Sequence, residues 1–319
     1  ILLFNISWIS LSESIEICKT INTIENDFNI DFLVIKNEYK ELNTKEKIIT
    51  MNKVILQKPK IIKYENLLKK TANKVKGKIL YLDGNYGYTI ASNVALNYAK
   101  DNNYEYTISS NADIVYDQKI IERLIINSET LDATIIAPAI NEAYKSKNKF
   151  VNKGHMISKF TGSSYFFLKP SKISDSFYKV DCVTGCFFLI RTKQLNSFYL
   201  PYIFAFTDEA DLMLRIKKNK KKVIIDTSIK INHLTGNNIA IEDPFRLYLY
   251  SRNILILCAN HFLIYFPISV VFHSIRVFKN ILLSKYLPEQ KYYIMKGHFD
   301  GLKIFSKIFL RKFMKLIKI

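Results

Sequence analysis

An asparagine and an aspartate stand two residues apart at the end of a strand-like run. Asn111 and Asp113 follow the segment YEYTISS, so two oxygen-bearing side chains would lie at one edge of a sheet. Mg²⁺ takes few protein carboxylates and completes its shell with water and substrate phosphates. The pair therefore predicts half of a metal site, completed by a nucleotide diphosphate, although Asn and Asp are also common turn residues after a strand.

A second group of acids opens an apolar-periodic helix in the segment TDEADLMLRIKK. In a purely structural interpretation Thr207 caps the helix, while Asp208 and Glu209 interact favourably with its dipole. Asp211 would pair with Arg215 one turn later. That interpretation explains Asp211, but it explains the two adjacent acids behind the aromatic run YIFAF less well. We therefore expect one of these two to act as a general base toward an acceptor hydroxyl.

Two further polar residues can serve a phosphorylated substrate. His233, in INHLTG, follows a strand and is interpreted either as a residue on the diphosphate side or as a structural imidazole. Arg252, in YSRN, can pair with a phosphate or a carboxylate. The four cysteines are too dispersed for a zinc site, and we interpret them as reduced thiols of a cytosolic protein. The lysine run KKNKKK is typical of a solvated turn.

The elements that would position these residues follow from the alternation of short apolar runs with helical stretches. It begins with ILLFNISW, SESIEICKTINTI and IDFLVIKN as strand, helix and strand. Such alternation is typical of an α/β fold with a mainly parallel sheet covered by helices on both faces. Ligands of such sheets bind beyond the carboxyl ends of the strands, which places Asn111 and Asp113 in the expected crevice.

Composition restricts the class of protein and of partner. The 319 residues are 49% hydrophobic with nine Gly and seven Pro, which excludes disorder and fibrous repeats. The formal net charge of +19 implies an anionic partner, such as nucleic acid, acidic lipid or a phosphorylated substrate. A nucleic-acid-binding protein would collect basic and aromatic residues on one face of its core. The clearest basic stripe instead lies opposite an apolar face in the C-terminal tail, which favours lipid.

The C-terminal part is more apolar than the rest. Residues 253–272 approach the length of a membrane span, but Asn260, His261 and Pro267 interrupt them, which favours buried or interfacial helices. The tail 301–319, taken as a helix, suits the surface of an anionic bilayer; in the alternative, its apolar side docks on the protein's own core. Its two sides carry apolar and basic residues respectively: Leu302, Phe305, Phe309, Phe313 and Leu316, against Lys303, Lys307, Arg311, Lys315 and Lys318.

Four segments occur in an order that resembles the family 2 glycosyltransferases of GT-A fold, particularly the bacterial branch of rhamnosyltransferases and O-antigen or capsule enzymes. They are NYGYTIASNVALNYA, SSNADIVYD, VDCVTGCFFLIR, and TDEADLMLR with the later INH. They resemble, in turn, the family's strand-to-helix element, its metal motif in N-x-D form, its acceptor-side segment with a central Gly, and its acidic base motif with a downstream His. The matches cover residues 85–253, roughly half of the chain.

The resemblance implies roles on the donor side of the site. Asn85, Gly87 and Asn93 would line the nucleotide-sugar site together with Asn111, and Asp113 would bind metal and diphosphate. The family usually has an Asp after its second strand that binds the base and ribose of the nucleotide. Here that position offers Lys36 and Asn37, so nucleotide recognition is expected to differ or activity to be reduced.

On the acceptor side the resemblance implies that Gly185 and Asp211 lie near the acceptor. The second acid of the base motif falls at Glu209, where an Asp is usual, and Asp208 takes the place of the usual Glu. Either side chain can therefore be the base, and Glu209 is the first candidate.

The function implied by the resemblance is inverting transfer of a sugar from a nucleotide-diphosphate sugar to a saccharide or lipid-linked saccharide, assisted by Mg²⁺ or Mn²⁺. It implies a nucleotide-sugar-binding part (1–115), an acceptor-binding part (116–245) and a helical membrane-associating region (246–319). The enzyme would be cytoplasmic, peripheral on the inner face of the cell membrane, and would not bind nucleic acid. The alternatives are a catalytically silent protein of the same fold and a basic nucleic-acid-binding protein.

Overall fold

The computed structural model describes residues 1–7, 30–37, 42–66, 77–111, 113–116, 118–142, 150–165, 170–233 and 243–317. The helix predicted at SESIEICKTINTI and the last two residues of the tail lie outside these ranges. The described chain forms one large sheet with helices on both faces, followed by a helical C-terminal region that begins at Pro244. The predicted α/β class is confirmed.

The strands of the described chain follow the predicted order of apolar runs. Those of the main sheet are β1 (Leu2–Ser7), β2 (Asp31–Lys36), β3 (Ile61–Asn66), β4 (Gly77–Leu82), β5 (Tyr106–Ser110), β6 (Ile114–Val115), β7 (Ile135–Glu142), β8 (Phe150–Asn152), β11 (Ser171–Lys172), β12 (Phe177–Lys179), β13 (Phe187–Arg191) and β14 (Val223–His233). A separate small hairpin pairs β9 (Met156–Ile157) with β10 (Ser164–Tyr165). The main sheet runs in the order β11-β12-β14-β7-β13-β5-β1-β2-β4-β3, with β6 beside β14 and β8 beside β7.

The sheet is mixed, where a mainly parallel one was predicted. Strands β5, β1, β2 and β4 are parallel, and so are β7 and β14. Between these two groups β13 runs antiparallel to both of its neighbours. A parallel neighbour needs a crossover connection, usually through a helix, and no helix precedes β13 in the described part of 141–186. The start of β13 therefore meets the carboxyl end of β5.

Helices cover both faces of this sheet, because both sides of its strands are apolar. Along β2, Leu33 and Ile35 join one buried cluster while Val34 joins the other, as the two-residue period of a strand requires. The helices before the C-terminal region are α1 (Thr44–Val54), α2 (Gly87–Asp101), α3 (Gln118–Thr130) and α4 (Asp208–Lys218). Residues 219–222, within the predicted lysine-rich turn, connect α4 to β14.

The C-terminal region consists of α5 (Pro244–His261), α6 (Phe266–Leu283) and α7 (Pro288–Ile317). The apolar run 253–272 is thus divided between two helices, and α5 ends at His261 with a short 3₁₀ turn before α6. The α5 part is buried, at Leu255, Ile256 and Leu257 among others. Among the described helices, one stretch, Leu263–Leu283, is long and apolar enough to cross a membrane, with a mean hydropathy of 1.3.

The first part of the tail's apolar side docks on the protein, as the alternative to a bilayer surface predicted. Leu302 and Phe305 pack against buried residues of α5 and α6, and the ring of Phe305 stacks on Phe266 with centroids 3.4 Å apart. Phe309, further along, is 40% exposed. Burial of the apolar stripe against α5 leaves the basic side of the tail in solvent, as at Lys303.

Candidate active site

Four chain segments that carry the sequence motifs meet at the carboxyl edge of β5. The backbone N–H of Asn111 donates a hydrogen bond to the carbonyl of Cys186, 2.8 Å away, where β13 begins. The Tyr88 hydroxyl, on α2, lies 2.9 Å from Ser109 Oγ and 3.4 Å from the carbonyl oxygen of Gly185. The motifs at β5, at β13 and at the start of α2 therefore form one continuous surface.

Glu209 joins this surface from the start of α4, and its side chain lies directly against Gly185. A β-carbon built on Gly185 would lie 1.6 Å from Glu209 Oε1 and 2.5 Å from Cδ. No side chain fits at position 185 while Glu209 keeps this rotamer. Gly185 thus provides the space for the carboxylate, and the structure brings these two predicted site residues together.

Asp208 and Glu209 form a buried pair of carboxyls. Burial raises the pKa of both, and the charge of Glu209 raises the pKa of Asp208 further. The interaction between the two side chains raises the pKa of Asp208 and lowers that of Glu209, which favours ionisation of Glu209 before Asp208. Asp208 is only 2% exposed, whereas Glu209 is partly exposed. Glu209 is therefore the carboxylate that can reach a ligand.

The loop before α4 holds three residues in left-handed backbone conformations. Phe204, Phe206 and Thr207 have φ values of 69°, 62° and 62°. Such conformations cost on the order of 1–3 kcal/mol each for residues other than glycine, and they persist only where the surroundings impose them. The side chain of Thr207 does not cap α4, contrary to the sequence interpretation. Here the left-handed backbone, and not a side-chain cap, directs Asp208 and Glu209 into the site.

Asn253, on α5, holds this loop in place. Its amide nitrogen lies 3.1, 2.7 and 3.0 Å from the carbonyl oxygens of Ile203, Ala205 and Phe206. Asn253 is fully buried, so these carbonyls would lose hydrogen bonds if its side chain were replaced by an apolar one. No local sequence pattern indicates this role, which depends on contacts between residues about fifty positions apart.

Arg252 helps Asn253 to hold the loop before α4. A role for Arg252 in binding a diphosphate is therefore not supported. It is 1% exposed, and its guanidinium donates to Asn253 Oδ1 and to the carbonyl of Tyr202. A group enclosed in this way cannot reach a ligand in the crevice. The structure therefore supports a structural role for Arg252, which binds the protein's own loop at Tyr202.

Asp211 is buried in a network of its own, which corrects its expected place beside the acceptor. Its carboxylate is 0% exposed and binds Arg215 at 2.8 Å, as the sequence predicted. His261 Nε2 and Asn260 Nδ2, both at the end of α5, lie 2.8 and 3.2 Å from Asp211 Oδ1. Burial alone would raise the pKa of Asp211, but the His261 hydrogen bond and the Arg215 charge hold it below its usual value. The network ties α4 to α5.

Asp113 and His233 form the other end of the site. Asp113 Oδ1 lies 3.2 Å from His233 Nε2, and the two side chains are 28% and 15% exposed. The antiparallel pairing of β14 with β6 sets this distance, since His233 lies opposite Ile114. A carboxylate oxygen and an imidazole nitrogen this close can both ligate one divalent cation. Mg²⁺ prefers oxygen ligands, so the imidazole favours Mn²⁺. Among the described residues no group of three or more such ligands is found.

The segment 85–87 turns tightly before α2. Asn85 Oδ1 accepts a hydrogen bond from the N–H of Gly87, and Gly87 has φ +71°, with Phe204 O 2.6 Å from where its β-carbon would be. Asn37 is buried beneath this turn and binds its backbone at Tyr86 N. Asn37, which follows the second strand, thus supports the turn, while Lys36 is partly exposed.

Asn93 has a structural role instead of the expected place in the donor site. Its amide nitrogen donates to the carbonyl of Tyr199 at 2.9 Å, and its amide oxygen accepts from the Tyr199 N–H, also at 2.9 Å. Both amide groups are therefore used to fix the loop that leads to α4. Tyr88, which the sequence analysis did not single out, is instead the α2 residue that reaches the site, and the buried carboxyls nearby help to raise the pKa of its hydroxyl.

Comparison with known proteins agrees with this architecture. No family model and no curated protein matches the sequence. The structure of GalNAc-T7 with UDP, GalNAc and Mn²⁺ superposes with a TM-score of 0.56 at 12% identity, over 96% of this chain and 55% of that one. This chain thus spans little more than half of GalNAc-T7.

Two further solved structures are covered more fully. The 1–349 segment of S. aureus TarS superposes with a TM-score of 0.52 at 12% identity, over 96% of this chain and 80% of that one. The mannosyltransferase PcManGT from Pyrobaculum calidifontis, in complex with GDP-Man and Mn²⁺, gives 0.51 at 8% identity over 94% and 86%. At such identities the likeness concerns the fold. The chain has the GT-A fold, with a helical C-terminal region.

Proposed function

We propose that this protein is a glycosyltransferase that uses a nucleotide-diphosphate sugar. One observation carries the proposal: the Asp113–His233 pair and the Asp208–Glu209 pair are joined by the short path from Asn111 through Cys186 to Gly185. A proposed metal-binding pair and a proposed general-base pair thus lie on connected segments beyond the carboxyl end of β5. This is where ligands of open α/β sheets bind.

Asp113 and His233 would hold a divalent cation at the donor end. The cation, when bound, neutralises negative charge on the departing nucleoside diphosphate as a Lewis acid. The pairing of β6 with β14 places these two residues side by side, and Asn85 and Asn111 would contribute to the donor side of the site. Similar structures hold such donors or their nucleotide part: GDP-Man in PcManGT, UDP-GlcNAc in a complex of the TarS 1–349 segment, and UDP in GalNAc-T7.

Glu209 would act as general base at the acceptor end. It takes the proton of the acceptor hydroxyl as that oxygen attacks the anomeric carbon and the bond from that carbon to the diphosphate oxygen breaks. A direct displacement of this kind inverts the anomeric centre. The side-chain interaction with Asp208 lowers the pKa of Glu209 and so favours its ionised form, and the absence of a side chain at Gly185 leaves room for the Glu209 carboxylate. A positioned base contributes about 10² to 10⁴ in rate.

The proposed acceptor is a saccharide or a lipid-linked saccharide in the synthesis of a cell-surface polysaccharide, at the cytoplasmic face of a membrane. The motif resemblance to O-antigen and capsule enzymes of family 2 supports this choice, and so does the net charge of +19, which suits an anionic acceptor or an anionic surface.

The test is a panel of UDP-, GDP- and dTDP-sugars incubated with the purified chain, with Mn²⁺, Mg²⁺ or chelator. We expect metal-dependent release of nucleoside diphosphate from at least one donor. Binding of a donor without any release would identify a silent protein of the same fold. Absence of both binding and release for every donor would overturn the proposal.

A further inference from the structure

Helix α6 is oriented with its apolar side toward solvent. Five large apolar residues at helical spacing are 41–64% exposed: Ile268, Val271, Phe272, Ile275 and Phe278. Leu282 and Leu283 continue the same stripe at 60% and 75%. Monomeric soluble proteins rarely expose an apolar surface that is continuous over about four helical turns. We name these seven residues the α6 stripe.

The opposite side of α6 is polar and fixed to the protein. Ser269 and His273, one turn apart, are 0% and 3% exposed and bind the carbonyls of Phe160 and Thr161. Ser274 lies 3.0 Å from His298 Nε2 on α7. A helix of a soluble protein normally turns its polar side chains to water and its apolar ones inward. The reverse arrangement in α6 means that its outer side is suited to an apolar environment.

The charged residues around the α6 stripe favour an anionic lipid surface over a second copy of this chain as its partner. Between Phe262 and Ile317 the sequence has ten Lys and Arg against two acids. Arg276 and Lys279 are exposed on α6 itself, within a turn of the stripe residues Ile275 and Phe278. Two copies of this face would bring their like charges together, which disfavours self-association. An anionic lipid surface offers both the apolar depth and the opposite charge.

We propose that α6 lies in the plane of an anionic lipid bilayer, with the α6 stripe inserted among the acyl chains and Arg276 and Lys279 at the headgroups. A membrane span is disfavoured, because one side of α6 is hydrogen-bonded to the folded domain at Phe160 and Thr161 and cannot be surrounded by lipid. The proposal does not depend on the transferase activity. It replaces the tail as the membrane contact, since the tail's apolar residues Leu302 and Phe305 are already packed on the protein.

The experiment is co-sedimentation of the full chain with vesicles of phosphatidylcholine, with and without phosphatidylserine, at low and high salt. We expect binding to the phosphatidylserine vesicles that weakens with salt. Ile275→Glu with Phe278→Glu should reduce the affinity on the order of a hundredfold or more, because two large apolar side chains lose their insertion. Arg276→Gln with Lys279→Gln should weaken binding about fivefold per charge. The control is Leu56→Glu, which alters an 86% exposed apolar residue outside α6 and should change nothing.

The double glutamate variant changes only exposed side chains, so its unfolding temperature should match the wild type. Lack of wild-type binding to phosphatidylserine vesicles, or equal binding by the glutamate variant, would overturn the proposal. A wild-type dimer that the glutamate variant converts to a monomer, measured by light scattering without lipid, would assign the stripe to a second copy instead. Retention of membrane-bound protein through a high-salt alkaline wash would assign α6 as a span.

Discussion

The carboxylate of Glu209 occupies the space where a side chain at Gly185 would begin. The distance from Glu209 Oε1 to a β-carbon at position 185 would be 1.6 Å, far inside van der Waals contact. The relationship joins the start of β13 to the start of α4, two segments that are distant in the sequence. A substitution at Gly185 would therefore displace the Glu209 carboxylate while leaving the Glu209 side chain itself unchanged.

Gly185→Ala should therefore displace Glu209 and lower kcat by about 10² or more, the size of a general-base contribution, with a small effect on donor KM. Steady-state kinetics with a varied donor would measure both constants. Gly84→Ala is the matched control, since a β-carbon there meets only Tyr86 ring atoms at 3.5 Å or more and should leave kcat unchanged. A Gly185→Ala enzyme with wild-type kcat would place the base elsewhere.

The raised pKa values of the buried Asp208 and Glu209 carboxyls predict a pH dependence of catalysis. Burial raises the pKa of Glu209, so its base form is gained, and kcat increases, as the pH rises through that raised pKa. The Asp208 hydrogen bond lowers the pKa of Glu209, so Asp208→Ala should shift the acidic limb of the kcat profile to higher pH.

Asp208→Asn is the control for this shift, because its amide can still donate a hydrogen bond to Glu209 and the limb should stay near the wild-type position. The measurement is the profile of kcat against pH for the wild type, Asp208→Ala and Asp208→Asn. A limb that moves to lower pH in Asp208→Ala would show that Asp208 is the ionised partner and raises the pKa of Glu209 by its charge, and loss of kcat at every pH would assign the base to Asp208.

His233 is expected to hold the metal together with Asp113. His233→Ala should raise the Mn²⁺ concentration needed for half-maximal activity by about 10- to 100-fold, the usual effect of losing a group that binds or orients a metal ligand. A titration of activity with Mn²⁺ would measure this. Asn232→Ala is the control, since Asn232 is an exposed neighbour on the same strand that contacts Asn141. Equal titration curves for His233→Ala and wild type would remove His233 from the site.

The Asp211 network should be visible in stability. Asp211→Asn should lower the free energy of unfolding by about 3 kcal/mol at neutral pH, the low end for breaking a buried pair, because Arg215 remains 21% exposed. The native pKa of Asp211 is lowered, so its contribution is complete above the usual Asp pKa and lost as the pH falls through the native value.

Denaturant unfolding of wild type and Asp211→Asn at several pH values would show this as a difference that shrinks toward acid. Asp132→Asn breaks an exposed pair with Arg191 and should cost under about 1 kcal/mol throughout. A difference between wild type and Asp211→Asn that grew as the pH fell would contradict the buried ion pair.

The sequence predicted those parts of the site that depend on strand ends. Asn111 and Asp113 follow β5, and the fold places any residue after a strand of this sheet at the same edge. The acids of α4 were found from local pattern, whereas Gly185 was found from the resemblance of its segment to the glycosyltransferase family. The Asp211–Arg215 pair was also predicted, because residues four apart on a helix are neighbours.

The parts that were missed depend on contacts between distant segments. Arg252 was selected as a candidate from the segment YSRN. The adjacent Asn253 instead holds the loop before α4, and no local sequence pattern predicts that contact. His261 was noted only as an interruption of an apolar run, although it binds Asp211. In the C-terminal region, the helical period correctly predicted an amphipathic tail. The same period could not show which apolar helix faces are buried against the rest of the protein. Ser269 and His273, one turn apart, mark the buried polar side of α6, but their spacing was not recognised in the sequence.

The most direct test separates donor binding from transfer in two variants. Asp113→Asn should lose Mn²⁺-dependent binding of the nucleotide sugar, whereas Glu209→Gln should bind the donor as the wild type does and lose transfer by about 10² to 10⁴. Calorimetric titration of the donor, together with the rate of nucleoside diphosphate release, measures both properties. Wild-type transfer by both variants, or loss of donor binding in Glu209→Gln with transfer retained in Asp113→Asn, would contradict the division of this crevice into a metal end and a base end.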